Sequence, residues 1–433
     1  LIAEQSPYQS YVYAYPHKTA YRSIEPGISL SELWSGEDKS ALFLYFHIPF
    51  CEMRCGFCNL FTTVHPAGSL EADYLDALER QAKQTKLALG AASFARLAIG
   101  GGTPTYLSPA ELGRVFDLAE MMGADLARIP ISVETSPMTA TPERLAVLGQ
   151  RHVSRISIGV QSFLESEVRA AGRPQRTADV HAALRRIRQT AIPTLNIDLI
   201  YGLPGQTVST WLQSLKTALE YQPEELYLYP LYVRPLTGIE KLDRHWEDVR
   251  LDCYRAGRDF LLANGYHQVS MRMFKAAHAP QTDGPVYCCQ EDGMVGLGCG
   301  ARSYTRQVHY ATDYAVGRQG ILDILGRYIR QTDADFSKAV YGFYLDADDQ
   351  RRRYILKSLL HETGLSQAAY HRYYGTDALA DYPLLLDFAA QGWIACADGE
   401  YRLTASGLEY SDTLGPMLYS AHVRALMQEF ELR

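Results

Sequence analysis

ALFLYFHIPFCEMRCGFC, residues 41–58, is the stretch from which the rest of the chain is read. Ala41–Phe50 is a nearly continuous run of large apolar residues, the mark of a strand buried on both faces. Cys51, Cys55 and Cys58 follow at once in C-x3-C-x2-C spacing. Three thiolates on one tight loop can hold three corners of a [4Fe–4S] cube and leave the fourth iron open. A structural zinc site and free thiols are the alternatives. Zinc sites normally close with four ligands; His47 and His65 are the available fourths, at a spacing that matches no common zinc pattern.

Outward from this loop the chain alternates. Strand patterns at Ala95–Gly102, Ile129–Ser136, Arg155–Phe163, Thr194–Leu203 and Glu225–Val233 are separated by helical patterns at Leu70–Leu89, Pro109–Met122, Thr141–Arg151, Ala178–Gln189 and Val208–Tyr221. With Ala41–Phe50 this makes six strands, which predicts parallel pairing with right-handed crossovers. Polar or small residues stand at the C-terminal ends of these strands: Cys51, Gly101, Glu134, Gln161 and Asp198. A parallel barrel gathers its functional groups at that end. The alternation stops after Val233, so the expectation is an α/β fold with a partial (β/α)6 barrel rather than eight strands.

The flanks read differently. Residues 1–40 read as an irregular arm rich in tyrosine, with Tyr8, Tyr11, Tyr13, Tyr15 and Tyr21 around Pro16, His17 and Lys18. That arm is either packed against the body or strapped over the mouth of a site. Residues 41–330 read as the barrel and its extension, ending in the glycine-rich Gly296–Tyr304. Residues 331–433 read as a small α+β module: helical patterns at Tyr354–His361 and Ala380–Gln391, then a hairpin over Trp393–Thr404 turned at Asp398-Gly399, resembling a winged helix. The module holds no basic stripe, so docking on the barrel is expected rather than DNA binding.

Composition bounds the function. The 433 residues carry 42 Lys+Arg against 49 Asp+Glu, a net charge of −7, which argues against a nucleic-acid partner. No apolar run approaches the ~18 residues of a membrane span. Leu1–Tyr15 lacks a secretory pattern. Clustered cysteines without such a signal point to metal ligands in a reducing cytoplasm. Cys253, Cys288, Cys289 and Cys396 are expected to be buried thiols, and Cys299 a small residue fitted to close packing.

The triplet at the end of a first barrel strand resembles that of the radical S-adenosylmethionine (SAM) superfamily. Tyr45-Phe-His47-Ile-Pro-Phe-Cys51, Gly100-Gly-Gly-Thr103-Pro-Thr105, Arg155-Ile-Ser-Ile-Gly-Val-Gln161-Ser-Phe163, Asp198-Leu-Ile-Tyr-Gly-Leu-Pro204 and the Gly296–Ser303 stretch resemble the oxygen-independent coproporphyrinogen III oxidases and their relatives. The resemblance implies a [4Fe–4S] cluster on Cys51, Cys55 and Cys58 and two SAM molecules. Tyr45, Gly101 and Glu134 match positions that hold the cluster-bound SAM. Phe57, Gly102, Thr103, Gln161, Arg173, Asp198 and Tyr232 match positions around the second. The residue chemistry agrees: Glu134 can accept from an ammonium, Arg173 can pair with a carboxylate in a two-pronged fashion, and Asp198 can accept from ribose hydroxyls.

Two departures steer the expected reaction. Asn59 follows Cys58 where coproporphyrinogen oxidases carry a further cysteine, and the His-Asn-Arg-Gln-Tyr motif of a haem-trafficking branch is missing. A third branch transfers a methyl or methylene carbon from the second SAM to an unactivated sp2 carbon, and that branch is the expectation taken here. Oxidative decarboxylation of a porphyrinogen and a non-enzymatic haem-binding module are the alternatives. His17, Tyr201 and Tyr229 are relay candidates at the mouth. The implied partners are a small-molecule substrate and an external electron donor such as flavodoxin or ferredoxin, acting on a monomer.

Overall fold

The computed structural model describes residues 6–66, 68–241, 246–281 and 285–432. Thirteen strands form one sheet: β1 (Arg22–Ser29), β2 (Leu42–Ile48), β3 (Phe94–Gly101), β4 (Ile131–Thr135), β5 (Arg155–Gln161), β6 (Thr194–Tyr201), β7 (Glu225–Pro230), β8 (Tyr266–Gln268), β9 (Met273–Ala276), β10 (Met294–Leu297), β11 (Arg302–Tyr304), β12 (Val308–Ala311) and β13 (Lys338–Tyr344). The order across the sheet is β1-β13-β12-β11-β10-β2-β3-β4-β5-β6-β7-β9-β8, with open ends.

The six strands expected from the alternation, β2 to β7, are parallel neighbours in chain order. Buried side chains of these strands and of the helices between them meet in one core running from Leu42 and Trp34 to Trp211 and Phe274. The helix ends follow local chemistry. Pro109–Met122 opens on a reciprocal cap between Ser108 and Glu111 and stops at Gly123, which takes a left-handed conformation.

The sheet is wider than expected. β10 adds a seventh parallel strand, pairing Val295 with Leu44. Its neighbours β11, β12 and β13 then turn back antiparallel. The arm is not irregular throughout: β1 pairs with β13, and Leu30–Ser35 is a helix. β1 is an edge strand, where Pro26 removes no needed ladder bond. A second apolar core, built from residues 343–423, also takes in Tyr15, Ala20 and Tyr21 of the arm. Among the described residues no helix is long and apolar enough to cross a membrane.

Candidate active site at the strand ends

The three cysteines sit on the loop leaving β2, between the short paired strands Phe50–Cys51 and Thr63–Val64. The loop is clamped from two sides. Gly56 N–H donates to Gly172 O at 3.1 Å, and Gly56 O accepts from Ile239 N–H at 2.7 Å. Burial lifts the Cys51 thiol to about 12 and raises Cys58 as well. Thiols held neutral in this way lose their protons when a metal binds.

The donor set fits a cluster better than one ion. Among the described residues the only set of three metal-ligating groups lying within 4.8 Å of one another is Asp346, Asp348 and Asp349, so the three sulfurs do not converge on a single point. His47 does not complete a zinc site. Its Nε2–H donates to Phe61 O at 3.0 Å, and its Nδ1 accepts from the Tyr45 hydroxyl at 3.2 Å. Burial pushes its pKa down to about 4, so the ring is neutral. His65 is exposed.

The glycine-rich end of β3 forms the floor. Gly101 takes φ +112, and a Cβ there would stand 2.7 Å from the His47 ring. At Gly102 a Cβ would meet Phe50 O at 2.6 Å and Cys51 Sγ at 3.0 Å. The backbone therefore passes directly beside the Cys51 sulfur. Thr103 Oγ1 lies 3.6 Å from the same sulfur.

Glu134, at the end of β4, accepts from Gly101 N–H at 2.9 Å. Its side chain keeps accessible surface although protein packs densely around it. Burial, with the Asp198 charge added, lifts its carboxyl to about 7. Asp198, on β6, is lifted by burial to about 6, against the opposing Arg155 charge. It accepts from Asn196 Nδ2 at 2.7 Å and Ser157 Oγ at 3.1 Å. Gln161 closes β5 at φ +69, a left-handed conformation unusual for a side-chain-bearing residue and enriched at functional sites.

Several expected contacts take a different form. Arg173 offers no open fork: Nη1 donates to Cys55 Sγ at 2.9 Å, Nη2 to Gly159 O at 2.8 Å and Nε to Gln175 Oε1 at 2.8 Å. Phe57 packs against the cluster of Ala171, Leu203 and Ile239. The Tyr232 hydroxyl donates to Asp412 of the C-terminal module. Tyr201 lies in the core against Tyr8, Trp211 and Tyr254, not at the mouth. Tyr229 stacks on Tyr227 and meets the edge of Tyr11. His17 caps a short turn and faces Tyr13. Of the remaining thiols, Cys253 and Cys299 are buried, Cys288 and Cys289 half-buried and Cys396 exposed. The last three depart from expectation because they lie in a loop and a surface hairpin rather than in the core.

Sequence reasoning missed four groups. Arg155 bridges Ser132 and Glu225 beneath Asp198. Arg272 and Asp412 form a buried ion pair. Arg302 stands just beyond the Gly298–Gly300 turn. Arg155 and Arg302 lie inside quoted motifs, but their arginines drew no attention there; the Arg272–Asp412 pairing spans 140 residues and has no local signal.

The superfamily model described as "Radical SAM superfamily" matches residues 45–218. The heme chaperone HemW of Bacillus subtilis (strain 168) is 30% identical over 269 residues, covering 60% of this chain and 70% of that one. The oxygen-independent coproporphyrinogen III oxidase of Escherichia coli (strain K12) is 28% identical over 387 residues, covering 84% and 82%. The solved structure of the Escherichia coli coproporphyrinogen III oxidase HemN, described as a radical SAM enzyme, superposes with a TM-score of 0.81 at 25% identity over 94% of this chain and 96% of that one. By fold and kinship alike, this chain is a radical SAM enzyme of the oxygen-independent coproporphyrinogen III oxidase-like family, with a [4Fe–4S] cluster and SAM as its cofactors.

Proposed function

We propose that this enzyme holds two SAM molecules at the strand ends and oxidises a carboxylate-bearing small molecule of the tetrapyrrole class. The observation that carries the reading is the correspondence of 94% of this chain with HemN at a TM-score of 0.81. In net terms each reacting propionate side chain becomes a vinyl group by losing carbon dioxide, one hydrogen atom and one electron, the electron passing to an external acceptor.

When bound, the cluster and SAM supply one-electron cleavage of a carbon–sulfur bond and abstraction of a hydrogen atom. The chain's own residues bind and orient. Cys51, Cys55 and Cys58 hold the cluster. Glu134, once ionised, accepts from the SAM ammonium, and Tyr45 and the Gly101 backbone line the same end. Gly102, Thr103, Gln161, Asp198 and Phe57 surround the second SAM, with Asp198 accepting from its ribose. Arg173 acts chiefly on Cys55. Tyr232 borders the site from its hydrogen bond to Asp412. His17 and Tyr229 act as the relay groups. A flavodoxin- or ferredoxin-type donor supplies electrons, and the enzyme acts as a monomer.

Methyl or methylene transfer from the second SAM is the second reading, favoured by Asn59 in place of the extra cysteine. One experiment separates the two. Anaerobic, reconstituted enzyme is given reductant, methyl-labelled SAM and coproporphyrinogen III. Carbon dioxide release with the matching mass loss supports oxidation, and label appearing in a product supports transfer. Intact substrate beside a cluster that cleaves SAM would sink the tetrapyrrole reading.

A further inference from the structure

Three cations near the strand ends meet no carboxylate among the described residues. Lys18 lies in the arm, Arg234 follows β7, and Arg302 opens β11. Each rests on an aromatic face. Lys18 Nζ is 3.6 Å from the Tyr314 ring centre, the Arg234 guanidinium 4.5 Å from Tyr232 and the Arg302 guanidinium 4.7 Å from Tyr13. Among the described residues none of the three pairs with an acid, whereas Arg155 and Arg272 pair with Glu225 and Asp412. Arg302 Nη1 is buried without a hydrogen-bond partner.

This arrangement is costly. Burial and the Arg302 and Arg234 charges hold the Lys18 ammonium well below its usual range, and His17 is pushed down by burial and by the same cations. Aromatic faces attract cations without neutralising them. Buried like charges with no counter-ion are a deficit that an anion would remove. The set also faces the reaction space. The Tyr314 hydroxyl donates to Asn59 O, next to Cys58, at 2.7 Å. The Arg302 charge acts on Tyr45 and His47. The lifted carboxyls of Glu134 and Asp198 belong to other strands, β4 and β6.

We propose that Lys18, Arg234 and Arg302, with His17 beside them, form an oxyanion subsite that takes a carboxylate or phosphate group of the substrate. The proposal rests on a small-molecule substrate entering this mouth, not on that substrate being a tetrapyrrole.

The test uses anaerobic holoenzyme with SAM, titrated calorimetrically with glutarate, inorganic phosphate and coproporphyrin III. At least one should bind, tenfold or more weakly in Lys18→Met and in Arg302→Met, with part of the loss recovered in Arg302→Lys and with SAM affinity and cluster absorbance maintained. Binding of glutarate or of phosphate alone identifies the group. Arg302-dependent glutarate binding without coproporphyrin III binding keeps the subsite and counts against the tetrapyrrole reading. No binding of any probe at millimolar concentration overturns the subsite, as does equal binding by the variants. A parallel fall in SAM affinity also overturns it, assigning the cations to the cofactor. Wild-type protein gives an independent check: the bound oxyanion should slow acetic anhydride labelling of Lys18, read by mass spectrometry, and an unchanged rate contradicts the proposal.

Discussion

Arg173 donates from Nη1 to Sγ of Cys55 at 2.9 Å, which ties a buried guanidinium to a proposed cluster ligand 118 residues away. A cation at this distance stabilises a thiolate and tunes a cluster bonded to it. Arg173→Met should therefore lower iron retention after desalting by half or more and shift the cluster's reduction potential, with Arg173→Lys intermediate. Unchanged iron content and potential would show that the contact is packing only.

Glu134 gives a pH dependence of defined sign. Its folded carboxyl sits at about 7, above the ordinary range, so the folded chain keeps a proton that the unfolded chain has shed. The group alone therefore reduces stability as pH rises from its unfolded value towards 7. A SAM ammonium reverses this preference by favouring the carboxylate. SAM affinity should rise up to roughly tenfold per pH unit below 7 and level off above it. Glu134→Gln should bind more weakly with a flat profile. Calorimetry in buffers of different ionisation enthalpy should show proton release on binding near pH 6; no release would refute the assignment.

The Arg272–Asp412 pair joins the barrel edge to the C-terminal module. Both side chains are almost wholly buried, and Ser10 N–H donates to Asp412 O at 3.0 Å. Tyr11 lies over the Arg272 guanidinium at 3.7 Å. Asp412→Ala leaves a buried cation unpaired and should cost roughly 3–5 kcal/mol in urea unfolding. Arg272→Met combined with Asp412→Leu should recover most of that. Trypsin should cut at Lys18 and Arg22 faster in the single variant only.

Gly101→Ala forces a side chain into positive φ and into the His47 ring. It should cost roughly 1–3 kcal/mol and weaken SAM binding, because the N–H held by Glu134 moves with it. Gly149→Ala, a helical position with open space around it, should be neutral or slightly stabilising.

The parts of the fold that could be read from sequence are those with local signals. Strand and helix periods between Leu42 and Pro230 alternate within short distances, so β2 to β7 and the cysteine loop were legible. β10 was not, because its pairing of Val295 with Leu44 spans 251 residues in a short glycine-containing strand. β1 was hidden by Pro26 and Gly27, which break the alternation that a partner far along the chain restores. The strand-end residues were singled out by resemblance, but the engagement of Arg173 with Cys55, and an Arg302 Nη1 with no hydrogen-bond partner among the described residues, exist only once distant elements meet.

The central claim is that Cys51, Cys55 and Cys58 hold the cluster through which SAM is cleaved. The most direct test compares reconstituted wild type with the Cys51→Ala/Cys55→Ala/Cys58→Ala variant under strict anaerobiosis, measuring 5′-deoxyadenosine formed from SAM in the presence of dithionite. The account predicts turnover by the wild type and none by the variant, with loss of the brown colour. Reductive SAM cleavage by the triple variant would contradict it.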